Sequence, residues 1–182
     1  MSKISFYRTV VVCNSGHSLR AQFYTATIND WNDLLKNDER KNIIIDSLKF
    51  LVTNKRIELN AFVIMANHIH LIWQPLFGFT LSSIQASFMK YTAQQLKRSL
   101  NVVDVEKFKV NKYDRNYQIW KREPLNVELP SLNMFTQKLE YIHYNPVQAG
   151  ICTKPEDYYY SSARFYFDGI DAFEILTHFS GS

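Results

Sequence analysis

Two apolar strands meeting at a tight turn constrain this chain more than any other stretch. They run from Arg56 to Met65 and from His68 to Gln74, and apart from a few polar positions both are apolar on both faces. Such strands belong in the middle of a sheet covered on both sides. The second begins His68-Ile69-His70. Side chains two apart on a strand share a face, so the two imidazoles lie side by side, opposite an apolar face of Ile69, Leu71 and Trp73. A histidine pair on a strand is often a core pair bonded to backbone. Burying two unpaired imidazoles costs free energy, however, and a divalent cation held between them would offset it. That cation needs further ligands from elsewhere in the chain.

Hydrophobic periodicity places helices at Asp38–Lys55, with Asn37 or Asp38 as N-cap, at Thr80–Leu100, and from Ser131 through Ile142. Pro146 either kinks this third helix or restarts it with Asn145 as a cap. Ser5–Asn14 reads as a first strand, and Ala21–Ala26 as either a returning strand or a segment crossing the sheet. Asn101–Asn116 reads as a loop and Tyr117–Trp120 as a short strand, followed by the breaker Pro124. This order fits an α+β fold, a ferredoxin-like sandwich with helices packed on an antiparallel-rich sheet. The 182 residues suit one domain, with residues 151–182 as a C-terminal extension.

Composition excludes several classes. The only cysteines are Cys13 and Cys152, too few for a secreted disulfide scaffold or a four-cysteine zinc site. The N-terminus lacks the apolar run of a signal peptide, and no window reaches the roughly 18 apolar residues of a membrane span. A soluble, cytoplasmic protein with no membrane partner is expected. Net charge is only +4, yet bases dominate between Lys90 and Arg122. Lys97, Arg98, Lys107, Lys109, Lys112, Arg115, Lys121 and Arg122 are candidates for phosphate contacts, and Trp120 for base stacking. A solvated helix end and loop accounts for the same charges about equally well.

The third helix carries Tyr141-Ile142-His143-Tyr144-Asn145. Residues four apart on a helix are neighbours, so Tyr141 and Asn145 share a face. One reading is an aromatic helix whose Asn caps the turn before Pro146. The other makes Asn145 a metal ligand through its carboxamide oxygen and Tyr141 a nucleophile.

His68-Ile69-His70 after Met65-Ala66-Asn67 resembles the His-hydrophobe-His signature of HUH endonucleases. The run from Tyr141 to Gly150 resembles the catalytic helix of single-tyrosine transposases, in particular the REP-associated tyrosine transposase branch. Ile119-Trp120-Lys121-Arg122 and Tyr160-Ser161-Ser162-Ala163 follow that branch in order and spacing. The resemblance implies the HUH endonuclease fold and a nuclease and strand transferase acting on single-stranded DNA near hairpins, in the nucleoid. It implies Tyr141 as nucleophile, a 5′-phosphotyrosine intermediate, and His68, His70 and Asn145 holding Mg²⁺ or Mn²⁺. Monomer and homodimer both occur among such proteins. Many of them carry Gln where this chain has Asn145, and His where it has Pro124-Leu125-Asn126. The competing function is a hairpin DNA- or RNA-binding module without catalysis.

Overall fold

The structure, a computed structural model, describes residues 20–180, so the strand expected at Ser5–Asn14 lies outside the described residues. The ambiguous segment near Ala21 is a strand. This β1 (Gln22–Thr27) lies inside the sheet, with a partner on each side. A 3-10 turn over Asn29–Trp31 leads to α1 (Asp38–Thr53), capped by Asn37, whose side chain accepts from the Arg40 amide. β2 (Ile57–Ile64) and β3 (His68–Pro75) form the expected hairpin. α2 (Leu81–Arg98) begins at Thr80, whose hydroxyl accepts from the Ser83 amide.

Asn101–Asn116 is not a loop. It holds the one-turn helix α3 (Val102–Glu106) and an antiparallel ribbon of β4 (Lys109–Lys112) and β5 (Arg115–Tyr117). The ribbon has little apolar surface to bury, so no period of two marks it in the sequence. The strand expected at Tyr117–Trp120 is displaced too. β5 ends at Tyr117, Trp120 makes a lone bridge to Ile28, and the strand that closes the sheet is β6 (Leu125–Glu128). Pro124 precedes it without harm, because β6 is the outer strand among the described residues and such a strand leaves one row of amides out of the ladder.

The sheet order is β2-β3-β1-β6 with every pair antiparallel. With α1 and α2 as crossovers this is the ferredoxin-like arrangement. One face of the sheet presents Tyr24, Ala26, Ile69, Leu71 and Trp73, which pack with Ile44, Leu48, Phe88 and Leu96 of α1 and α2. The opposite face presents Phe23, Val63 and Ile72 to α4 (Leu132–Gln148), which contributes Phe135, Leu139 and Ile142. α4 runs unbroken past Pro146, so Asn145 lies inside it and caps nothing, and Gly150 takes the left-handed φ of 70° just beyond.

The chain after residue 151 adds to the same core rather than standing apart from it. A 3-10 turn at Pro155–Asp157 and α5 (Ala163–Asp168) frame a segment laid along β2. The Ile64 amide donates to Tyr160 O at 3.0 Å, Ser162 N to Phe62 O at 2.9 Å, and Thr177 N to Leu59 O at 2.9 Å. Ser162 Oγ also meets His143 Nε2 of α4 at 2.9 Å, which ties helix, tail and strand together. Among the described residues no helix is long and apolar enough to cross a membrane.

Phe135 is fully buried and stacks on Phe179 with ring centroids 4.1 Å apart. Phe135→Ala should therefore cost about 3–5 kcal/mol, read as a lower urea midpoint, and should speed proteolysis within the 173–180 tail.

Candidate active site

The hairpin register decides where the histidines point. Across the β1–β3 ladder Thr25 stands opposite His70 and Thr27 opposite His68, all on the face covered by α4. The two imidazoles lie with centroids 4.8 Å apart. His70 is 4% exposed, while His68 is half-buried nearer the surface. Each ring has its Nδ1 engaged. Asn67 Oδ1 accepts from His68 Nδ1 at 2.8 Å, and the Thr25 hydroxyl meets His70 Nδ1 at 2.7 Å. A ring that donates through Nδ1 keeps the Nε2 lone pair free, the arrangement that orients a histidine ligand.

α4 supplies the rest. Asn145 Nδ2 lies 3.4 Å from His70 Nε2, and the same side chain hydrogen-bonds His68. A half-turn of the amide would put its oxygen there instead. One turn earlier the Tyr141 ring sits 5.1 Å from His70 and 6.0 Å from Phe23, with 43% of the residue exposed. Phe23 stacks on His70 from below at 5.5 Å. Lys138, a further turn back, holds its ammonium 4.6 Å from the Phe23 ring and 5.7 Å from the Tyr141 ring. The structure thus brings together Tyr141, His68, His70 and Asn145, although 75 positions separate Asn145 from His70.

Burial, followed by the neighbouring charges of His68 and Lys138, pushes the His70 imidazole down to about 3. Burial lowers His68 as well, opposed by its bond to Asn145. Both rings are therefore neutral at pH 7, as ligands must be. Among the described residues no three His, Cys, Asp or Glu gather into a metal-holding group, and the oxygen donor beside the two imidazoles is the Asn145 amide. Two freed Nε2 atoms and one carboxamide oxygen fit a divalent cation that accepts mixed nitrogen and oxygen donors.

The basic candidates fall into two sets. Lys107 pairs with Asp104, Lys109 with Glu106, and both Arg115 and Arg122 with Asp114, so much of that charge is met locally. Lys97 lies over the Tyr117 ring at 3.8 Å. Arg98, Lys112 and Lys121 are exposed and have no ion-pair partner among the described residues. The Lys121 amide donates to Thr27 O at 2.7 Å, and Thr27 faces His68 across the ladder. Trp120 is corrected. It is 5% exposed and its indole N–H donates to Thr92 Oγ1 at 3.0 Å, so it is a core residue rather than a stacking surface. The strap from 115 to 124 and α2 enclose a groove of about 480 Å³ rimmed by Lys90, Arg115, Lys121 and Arg122.

Sequence reasoning missed Thr25, Asn67 and Lys138. Lys138 was within reach, because it stands at i−3 from Tyr141 and i−7 from Asn145 on one helix face. Thr25 was not, since its role depends on a strand register that local pattern leaves open.

No family model and no curated protein matches the chain. Solved structures do. A REP-associated tyrosine transposase bound to a REP hairpin aligns with a TM-score of 0.64 at 17% identity, over 93% of each chain. This is the fold of a REP-associated tyrosine transposase. A candidate transposase from Deinococcus radiodurans aligns at a TM-score of 0.47 and 14% identity, over 71% of this chain and 94% of that one.

The tyrosine-transposase fold here keeps its paired histidines neutral, and this has a measurable sign. A histidine whose folded pKa lies below its unfolded value near 6.5 binds more protons when unfolded, so stability falls as pH drops below about 6.5 toward 3. His143, buried and pushed down to about 3, acts the same way. NMR should find the His70 ring unprotonated at about pH 4.5, and denaturation should show stability decreasing from about pH 6.5 downward, with a shallower slope in His70→Gln.

Proposed function

We propose that the protein is a metal-dependent single-stranded DNA endonuclease and strand transferase acting near hairpins, with Tyr141 as the attacking group. The observation that carries this reading is the meeting, within one chain, of Tyr141 and Asn145 from α4 with His68 and His70 from β3. The hairpin bound by the REP-associated transposase of the same fold supports the substrate class. Because Tyr141 and the histidines of the same chain already face one another, the geometry supports action in cis.

His68, His70 and Asn145 would hold the cation, with Mn²⁺ or Mg²⁺ the ions in view and the two imidazoles weighting the choice toward Mn²⁺. When bound, it supplies positive charge to the phosphate that is cut. A phenol is a weak nucleophile, and the work of Tyr141 is done by placement. Its Oη forms a bond to phosphorus as the bond from phosphorus to the 3′-oxygen breaks. The phenol proton passes to solvent and the departing 3′-oxygen takes one up. The product is a 5′-phosphotyrosine and a free 3′-hydroxyl, so the phosphodiester energy is conserved and another 3′-hydroxyl can reverse the exchange. Lys138 sits where its ammonium favours the incoming phosphate. Thr25 and Asn67 hold the imidazoles in one orientation.

Incubated with Mn²⁺ and hairpin-bearing single-stranded DNA, the protein should form a covalent adduct that survives denaturing electrophoresis. Tyr141→Phe should abolish it while still binding the hairpin, and an adduct persisting in that variant overturns the assignment. His70→Ala or chelation should lower adduct yield at least about a hundredfold, and Thr25→Val about tenfold. Hairpin binding with no adduct under any metal would make the protein a binding module.

A further inference from the structure

Three tryptophans occur in the chain, and two have the usual fate of that residue: Trp73 is fully buried and Trp120 is 5% exposed. Trp31 is 59% exposed. Its ring stands edge-on to His68 with centroids 6.0 Å apart, whereas Tyr141 stands against His70.

The backbone under Trp31 is strained. Asp30 and Trp31 are consecutive, neither is glycine, and their φ angles are 54° and 56°. Left-handed backbone is unusual for a bulky residue and persists where surrounding bonds over-determine it, as they do at ligand-binding sites. Here the bonds are plain. Asn29 N donates to Ile119 O at 2.8 Å and Gln118 Nε2 to Asn29 Oδ1 at 2.9 Å, which moors the loop to the strap carrying Lys121. On the far side Asn67 Nδ2 donates to Asp33 Oδ1 at 3.2 Å, and Asn67 is the residue that orients His68. The fold thus holds an indole out in solvent, beside the histidines, at the cost of two strained residues. No packing gain for the indole explains that, whereas a stacking partner does.

We infer that Trp31 is a stacking platform for the base of a nucleotide flanking the phosphate at the His68–His70 site, in single-stranded DNA. The inference rests on the proposed substrate. An indole face stacks on any base, and single strands, unlike duplexes, leave base faces free.

Trp73 and Trp120 also emit but are buried out of reach of a bound base, so quenching on binding that disappears in Trp31→Phe is assigned to Trp31. The probe is a DNA hairpin with mixed-sequence single-stranded flanks, titrated into the protein in chelator and compared with the same hairpin made blunt. The flanked probe should quench emission and the blunt one should not. Trp31→Ala should weaken binding of the flanked probe about tenfold without changing blunt-hairpin affinity, and Trp31→Phe should recover most of the loss. Replacing the stacked base by an abasic site should cost wild type the same factor and cost Trp31→Ala nothing more. Unchanged affinity in Trp31→Ala, or emission unmoved at saturation, overturns the platform. The adduct assay separates the two ideas. A Tyr141 adduct with an indifferent Trp31→Ala removes the platform alone, and quenching without an adduct removes the cleavage reading alone.

Discussion

The site depends on one ladder register, that of β1 against β3. Side chains alternate across a strand, so slipping this pairing by one residue would leave His70 without Thr25 opposite it, and rotating β3 to its other face would bury both imidazoles among Leu48, Phe88 and the rest of the α1–α2 core. What holds the register is apolar. Ile69, Leu71 and Trp73 fill one face and Ile72 the other, and none of them tolerates exchange with the polar set. The geometry of the candidate site is thus secured by residues outside it.

α4 makes the same bargain with a different period. Phe135, Leu139 and Ile142 drive it onto the sheet, and that docking fixes the rotation at which Lys138, Tyr141 and Asn145 look toward β1 and β3. The position of the phenol relative to the imidazoles is therefore set by core packing on one side of the helix. The buried bond from His143 to Ser162 reinforces it from the opposite flank.

Much of this was legible in the sequence. The hairpin, the three long helices and the face shared by His68 and His70 follow from periodicity, and Ser131, Thr80 and Asn37 cap where their chemistry says they should. The resemblance to single-tyrosine transposases singled out Tyr141, His68, His70 and Asn145, which lie together in the structure, and the ferredoxin-like order matches the fold found. The failures have different causes. Trp120 looked available until Thr92, on another element, claimed its N–H. The bases near Arg115 are met by Asp114, close in sequence, in a pairing that only the β4–β5 ribbon and the strap bring about. β6 hid behind Pro124, which local rules read as an end and the sheet uses as a beginning. The strain at Asp30 and Trp31 leaves no trace in composition at all.

The tail along β2 has a consequence for self-association. By occupying the backbone groups of Leu59, Phe62 and Ile64 it seals one margin of the sheet, and among the described residues β6 forms the other. A sheet that grew past the sealed margin would first have to peel the tail away from Leu59, Phe62 and Ile64.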